Sequence, residues 1–456
     1  MPLWDALHSL PWHALLILLV ALFVAFAFEF INGFHDTANA VATVIYTHAL
    51  PAPVAVVYSG VLNFLGVMLG GTAVAFSVVH LLPVELLVDT TSRKAIAIIL
   101  SLMLSGVTWN LGTWYHGLPV SSSHTLVGSI LGVGLANGLI DGRGFRGVDW
   151  SKAGEVGLAL LISPVIGFVL AGGLLLLLKR LVPDPELFTP PKDQAPPPTW
   201  IRATLIATCG GVSFAHGSND GQKGMGLVLL VLLGFLPTHY ALNTHRPQHL
   251  TATKEAITQL QALVPADQAS EARAGIDELG QKLAAYDDFR AVPAGDRWAL
   301  RQNIVTVNER LKGVAVPPER QAEFLAARKH LIDAVEFVPT WVVVATALAL
   351  GLGTTIGYKR IMVTVAEKIG KTHLTYGQGA SAEVVAAGTI LAAVAVALPV
   401  STTHVVASGI AGTMAANGSG VQGSTVRKIA LAWVATLPGT MLLAGAMFTV
   451  ARLLFV

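Results

Sequence analysis

The sequence predicts an all-α polytopic membrane protein of about ten transmembrane spans in two inverted five-span repeats with broken helices, plus a soluble helical insert. Three observations carry that prediction. The 456-residue chain is 53% hydrophobic and only 12% charged, with a mean hydropathy of +0.64, far from soluble composition. Its charge is concentrated, since 25 of the 56 Lys, Arg, Asp and Glu residues lie between positions 239 and 336. Finally, two polar motifs that interrupt apolar stretches each occur twice. Asn32-Gly33-Phe34-His35-Asp36-Thr37-Ala38-Asn39 is echoed by His216-Gly217-Ser218-Asn219-Asp220-Gly221-Gln222-Lys223, and Pro119-Val120-Ser121-Ser122-Ser123-His124 by Pro399-Val400-Ser401-Thr402-Thr403-His404.

Crossing the hydrocarbon takes about 20 apolar residues. In the first half such stretches run over 12–48, 51–82, 95–116, 119–140 and 153–178, and in the second over 203–237, 337–357, 376–398, 399–416 and 429–455. The first has no Lys or Arg before it, which reads as a retained span rather than a leader. Breaks are expected near Asn32-Gly33 and across Gly217–Gly221, where glycine permits them. Residues 1–178 thus form the first membrane repeat, 179–202 a proline-rich, non-helical linker, and 203–238 the start of the second repeat. The soluble insert is 239–336, and 337–456 completes the second repeat. Within the insert, Ile257, Leu260 and Val264, then Ile276, Leu279 and Leu283, then Ile304, Val307 and Leu311 recur at helical spacing.

The halves share one ruler. Asp36 precedes Ser121 by 85 positions, whereas Asp220 precedes Ser401 by 181, of which the 98-residue insert accounts for all but 83. Five spans per half is odd, so the second half enters the membrane from the opposite side. Ten Lys and Arg residues in the loops 49–50, 179–202, 358–375 and 417–428, against five in the short opposing loops, place both termini and the insert outside.

Carboxylates at bilayer depth are costly and survive facing a cavity or a partner. Asp36 and Asp220 occupy matching repeat positions, so a chance helix-end carboxylate is the weaker reading. Asn39, His35 and Asp36 with Asp220 are the candidate coupling-ion residues. Ser121, Ser122, Ser123, Ser401, Thr402 and Thr403 follow prolines at predicted helix starts, where a proline suits the first turn and hydroxyls with unpaired N–H groups favour anions. Two such half-helices can clasp one tetrahedral oxyanion, with Asn219 and Lys223 as further ligands. An anion beside two carboxylates is repelled unless cations accompany it, which points to coupled transport. Lys223 stands where the first repeat has Asn39 and puts a fixed positive charge in one potential cation site. His124, His404 and His216 are candidates for a proton relay, with hydrogen-bonded structural histidines as the plainer alternative. Glu29 and Glu383 lie in apolar stretches and read as accessory.

Other classes fit less well. A membrane enzyme built on Ser121 and His124 has no need of the constellation twice, and paired carboxylates would repel anions in a passive channel. The single cysteine, Cys209, excludes an intrachain disulfide and a thiolate metal cluster. No basic run of the nucleic-acid-binding kind appears. No spacing defines a metal site, and no resident cofactor is expected.

At Gly33–Asn39, Gly217–Lys223, Trp109–Gly117 with Pro119–Thr125, and Ser213–Leu227 the chain resembles the inorganic phosphate transporter (PiT) family, its bacterial low-affinity Pit-type permeases above all. The resemblance implies uptake of inorganic phosphate across a bacterial inner membrane, with arsenate as a mimic and Mg2+ or another divalent cation as a potential companion of the anion. A homo-oligomer is compatible with it. Sodium-coupled members similar to this chain keep Asn at the position of Lys223, so the departure favours protons. Sodium coupling and a sulfate permease on the same scaffold stay as alternatives.

Overall fold

The computed structural model describes residues 3–455 apart from 9, 82–92, 149, 192–194, 245–247 and 265–269, so parts of the expected linker and insert lie outside the described residues. The chain is helical, with no β-strand among the described residues. The helices are α1 (Leu3–His8), α2 (Trp12–Tyr46), α3 (Ala52–Leu69), α4 (Ala73–Val79), α5 (Arg93–Tyr115), α6 (Ser122–Ile140), α7 (Trp150–Leu181), α8 (Thr199–Phe235), α9 (Pro237–Tyr240), α10 (Gln248–Leu263), α11 (Ser270–Ala284), α12 (Ala294–Leu311), α13 (Gln321–Ile332), α14 (Thr340–Thr354), α15 (Lys359–Glu367), α16 (Tyr376–Ala395), α17 (Thr402–Ala416) and α18 (Gly423–Phe455). Short 3-10 turns join some of them.

Among the described residues, seven helices are long and apolar enough to cross a membrane: α2, α3, α5, α6, α7, α16 and α18. An eighth appears if α14 and α15, bent by 68° across a short break, count as one span. The protein is therefore a polytopic integral membrane protein. The expected spans at 203–237 and 399–416 correspond to α8, which carries a polar run at its middle, and α17, only 15 residues long. Neither meets that length-and-hydropathy standard.

The chain forms two compact units, one of residues 1–16 and 232–338, the other of 17–231 and 339–456. In the first, α10 to α13 bury one apolar core that includes Ile257, Leu260, Ile276, Leu279, Leu283, Ile304, Val307 and Leu311, the residues whose spacing predicts its helices. In the second unit α3 packs on α14, α6 on α18, and α17 on both α7 and α16.

The expected breaks in the two long motif helices are absent. α2 and α8 run unbroken through Gly33 and Gly217. Their glycines serve close approach instead. A methyl on Gly33 would overlap the backbone of α14 at Leu350, Gly353 and Thr354, and one on Gly217 would overlap the backbone of Asn63 on α3. Glycine at a crossing lets two backbones touch.

The breaks fall at the other motif pair. α5 ends at Tyr115 and α6 begins after Ser121, and α16 ends at Ala395 and α17 begins after Ser401. Ser121 and Ser401 are N-caps with nearly the same backbone angles, and each hydroxyl accepts from the N–H three residues on, at 3.2 Å. Pro119 and Pro399 sit two residues before the caps, not in the first helical turn.

Candidate functional site

The starts of α6 and α17 meet the middles of α2 and α8, and the contacts trade between the halves of the sequence. Asp36 of α2 accepts at Oδ1 from Thr402 (2.9 Å) and Thr403 (3.0 Å) of α17. Correspondingly, Asp220 of α8 accepts at Oδ2 from Ser122 of α6 (3.2 Å). Asn39 Nδ2 reaches Thr403 Oγ1 at 3.3 Å, and its counterpart Lys223 reaches Ser123 Oγ at 2.5 Å. Residues four before each aspartate cross over as well. Asn32 Nδ2 donates to Asp220 Oδ2 at 3.4 Å, and His216 Nε2 lies 2.9 Å from Asp36 Oδ2. Each aspartate is thus held by residues of the opposite half.

Charge is compensated within the cluster. Lys223 Nζ lies 2.5 Å from Asp220 Oδ1 and donates to Val400 O at 3.1 Å, with the pair about as buried as side chains become. Imidazole Nε2 of His216 is also 3.3 Å from Asp220 Oδ2, so one ring bridges both carboxylates. Asn63 Oδ1, 2.6 Å from Nδ1, fixes that ring, and Asn63 Nδ2 donates in turn to Thr354 Oγ1 at 3.3 Å. Ligand atoms of Asp36, His216 and Asp220 lie within 4.8 Å of one another, a spacing that suits a bound cation.

Most of the sequence-predicted residues meet here. Asp36, Asn39, Asp220, Lys223, His216, Ser122, Ser123, Thr402 and Thr403 form the cluster, all buried. Ser121 and Ser401 cap their helices. Asn219 turns to Leu398 O at 3.5 Å, in the loop before α17. His35 does not join the cluster; its Nε2 contacts the carbonyl of Asn110 on α5 at 2.9 Å. Helix geometry explains the difference, because a residue one before an aspartate points about 100° away from it, whereas one four before lies on the same face. The rings of His124 and His404 pack against each other at a tilt rather than reaching the carboxylates. Their ring centroids are 4.6 Å apart, and His404 lies 4.0 Å from the ring of Trp433, whose Nε1 donates to Pro119 O. Asn63, Thr354, Asn110 and Trp433 support the site without belonging to any repeated motif.

An all-helical membrane protein whose charged and hydroxyl groups converge at two half-helix starts belongs to the transporters, not to the enzymes. The model of the phosphate transporter family matches residues 32–444, and the chain belongs to that family. It is 39% identical to the low-affinity inorganic phosphate transporter PitA of Escherichia coli K12, over 96% of this chain and 97% of that one. It is likewise 39% identical to a low-affinity inorganic phosphate transporter of Buchnera aphidicola from Acyrthosiphon pisum (97% and 98%), and 30% identical to a probable one of Bacillus subtilis (97% and 99%). Among solved structures it is similar to a sodium-dependent phosphate transporter, with a TM-score of 0.56 and 22% identity over 96% of this chain and 99% of that one; that likeness concerns the fold.

Proposed function

We propose that the protein imports inorganic phosphate across a bacterial inner membrane as a proton symporter. Its ten helical segments α2, α3, α5, α6, α7, α8, α14, α16, α17 and α18 then form two inverted five-span repeats, with both termini outside. The observation that carries this reading is the paired cluster. Two half-helices, each opening with hydroxyls and first-turn amides, face two carboxylates and one ammonium across the halves of the sequence. An arriving phosphate takes the donors of Ser122, Ser123, Thr402 and Thr403 and draws Lys223 toward it, since first-turn amides and an ammonium both favour anions. Asp36 and Asp220 then lose donors, and cations must enter to hold the charge.

Protons fit that need better than sodium. Lys223 occupies the position of Asn39, and its ammonium at 2.5 Å from Asp220 already fills one side of the cluster. Asp36, His216 and Asp220 can also meet a divalent cation travelling with phosphate as cargo. Arsenate, with the same shape and charge, should share the route.

The test is radiolabelled phosphate uptake into proteoliposomes under an inward proton gradient, with and without sodium and magnesium and with sulfate as competitor. Accumulation that tracks the proton gradient, ignores sodium and resists sulfate is the expected result. A sodium requirement would overturn the coupling ion, and block by sulfate the substrate.

A further inference from the structure

Glu29 lies on α2, about two turns before Asp36. It is fully buried, and neither carboxyl oxygen meets a hydrogen-bond donor among the described residues. The amide of Asn32 leans toward it but is committed to Asp220. Space for the group is built into α8. A methyl on Gly224, the residue after Lys223, would overlap Glu29 Cγ, Cδ and Oε1. The carboxyl therefore lies against the backbone that carries Lys223, and the charged groups acting on it are Asp220, Lys223 and His216, all from α8. Glu383, the other carboxyl buried in an apolar stretch, differs on both counts: Thr208 donates to it at 2.5 Å, and among the described residues no cation acts on it.

Ionising a carboxyl group in such surroundings without a partner is costly. One ammonium thus has two carboxyl groups as neighbours, Asp220 at 2.5 Å and Glu29 against the residue that follows the lysine.

We propose that Glu29 carries the transported proton, with Lys223 as the group it exchanges with. This rests on the proton-coupled reading above. With phosphate between the half-helices, Lys223 stays toward Ser123 and the anion, and Glu29 is a neutral acid. After phosphate leaves, Lys223 turns to Glu29, whose O–H bond breaks, the proton passing to water on the exit side and the carboxylate pairing with the ammonium. Reprotonation from water on the entry side frees Lys223 for the next anion. Because an anion holds the ammonium away from Glu29, phosphate and proton favour each other's binding, and the coupling is reciprocal.

The experiment uses the full chain in proteoliposomes and separates phosphate exchange at equilibrium from accumulation driven by a proton gradient. Glu29→Gln should exchange phosphate within about twofold of the native protein, since neutral glutamine mimics the loaded state. It should not accumulate phosphate above equilibrium. Glu29→Asp keeps a carboxyl and should restore accumulation in part. Infrared difference spectra should show a protonated-carboxyl band that responds to phosphate, shifts in Glu29→Asp, survives in Glu383→Gln and vanishes in Glu29→Gln. Native accumulation by Glu29→Gln, or loss of its exchange with the protein folded, would overturn the proposal. So would a phosphate-responsive band that belongs to Glu383. Should Glu29→Gln fail to fold, the spectra of the native protein, Glu29→Asp and Glu383→Gln decide alone. If the native protein exchanges no phosphate, or accumulates it only with sodium, the underlying reading has failed instead.

Discussion

Replacing Lys223 by Met tests whether the ion pair at the centre of the site stands as drawn. The side chains of Lys223 and Asp220 are 2% and 1% exposed, with 2.5 Å between Nζ and Oδ1. The ammonium also donates to Ser123 Oγ and Val400 O. Removing one partner of a buried pair strands the other, at about 3–5 kcal/mol. Asp220 keeps Ser122, Asn32 and the nearby His216, so the lower end, about 3 kcal/mol, is expected. Neutralising both partners, in Lys223→Met with Asp220→Asn, leaves no stranded charge and should recover stability to within about 1 kcal/mol of native. The assay is denaturation of the purified protein in detergent, completed as a double-mutant cycle, beside phosphate uptake. Neither variant should accumulate phosphate. A single mutant within 1 kcal/mol of native, or a double mutant no more stable than the single, would refute the pairing.

Asp36→Asn and Asp220→Asn should each abolish gradient-driven phosphate accumulation while the protein still inserts; normal coupled uptake by either would remove the aspartates from the site. In the insert, Arg301 donates to Ala241 O and Val335 O and so ties the chain entering that unit to the chain leaving it. Burial lowers its guanidinium to about 10, which leaves it charged at neutral pH, and Arg301→Leu should orphan those carbonyls, cost about 2–3 kcal/mol and speed hydrogen exchange around residues 241–243 and 333–336. Ala397 holds a φ of 55° where the first repeat has Gly117 at 65°, so Ala397→Gly should raise stability by about 1 kcal/mol in a thermal melt and Gly117→Ala should lower it by a similar amount. Burial by itself would raise the Asp141 carboxyl, but Lys94, Arg452 and Arg143 outweigh it and hold the group well below the usual carboxylate range. Its contribution is therefore complete above the ordinary carboxylate value and lost as pH falls through the lower folded one, so the deficit of Asp141→Asn, about 1 kcal/mol at pH 7, should shrink in strong acid.

The paired motifs made much of the site legible, because a duplicated string at a common spacing constrains what single polar residues do not. The motifs do not sort the histidines, since they put His35 with the coupling-ion residues and His216 in a relay. Helical phase does: His216, four residues before an aspartate, shares its face, whereas His35, one before, does not. What stayed hidden depends on chain segments distant in sequence. Gly33 and Gly217 look the same whether they break a helix or admit a backbone, and only α14 and α3 lying against them decide it. Asn63, which fixes the His216 ring, is one polar residue in an apolar stretch with no echo in the second repeat. Glu29 stands out as a carboxylate in an apolar stretch, but its place beside Lys223 is hidden, because its partner surface is the absence of a side chain at Gly224.

The trade between halves extends beyond the charged cluster. Ser77 of α4 donates to Ala397 O, and Thr364 of α15 donates to Gly117 O, each at 2.8 Å. Both acceptors lie two residues before the proline of a half-helix motif, and both adopt positive φ. Each hairpin turn is therefore pinned by a hydroxyl from a short helix in the other half of the sequence, just as each aspartate is held by hydroxyls from the other half. A movement that freed one half-helix would have to break its pin at the turn and its contacts to the facing aspartate, while the other set could remain whole. That is the physical requirement for exposing a shared site to one side at a time: two equivalent closures, each complete, that need not open together. Charge sets which closure yields. Among the described residues the cluster's only ammonium, Lys223, sits on the α8 side, so on the proposed route an anion that draws it away should loosen the contacts of α6 with Asp220 first.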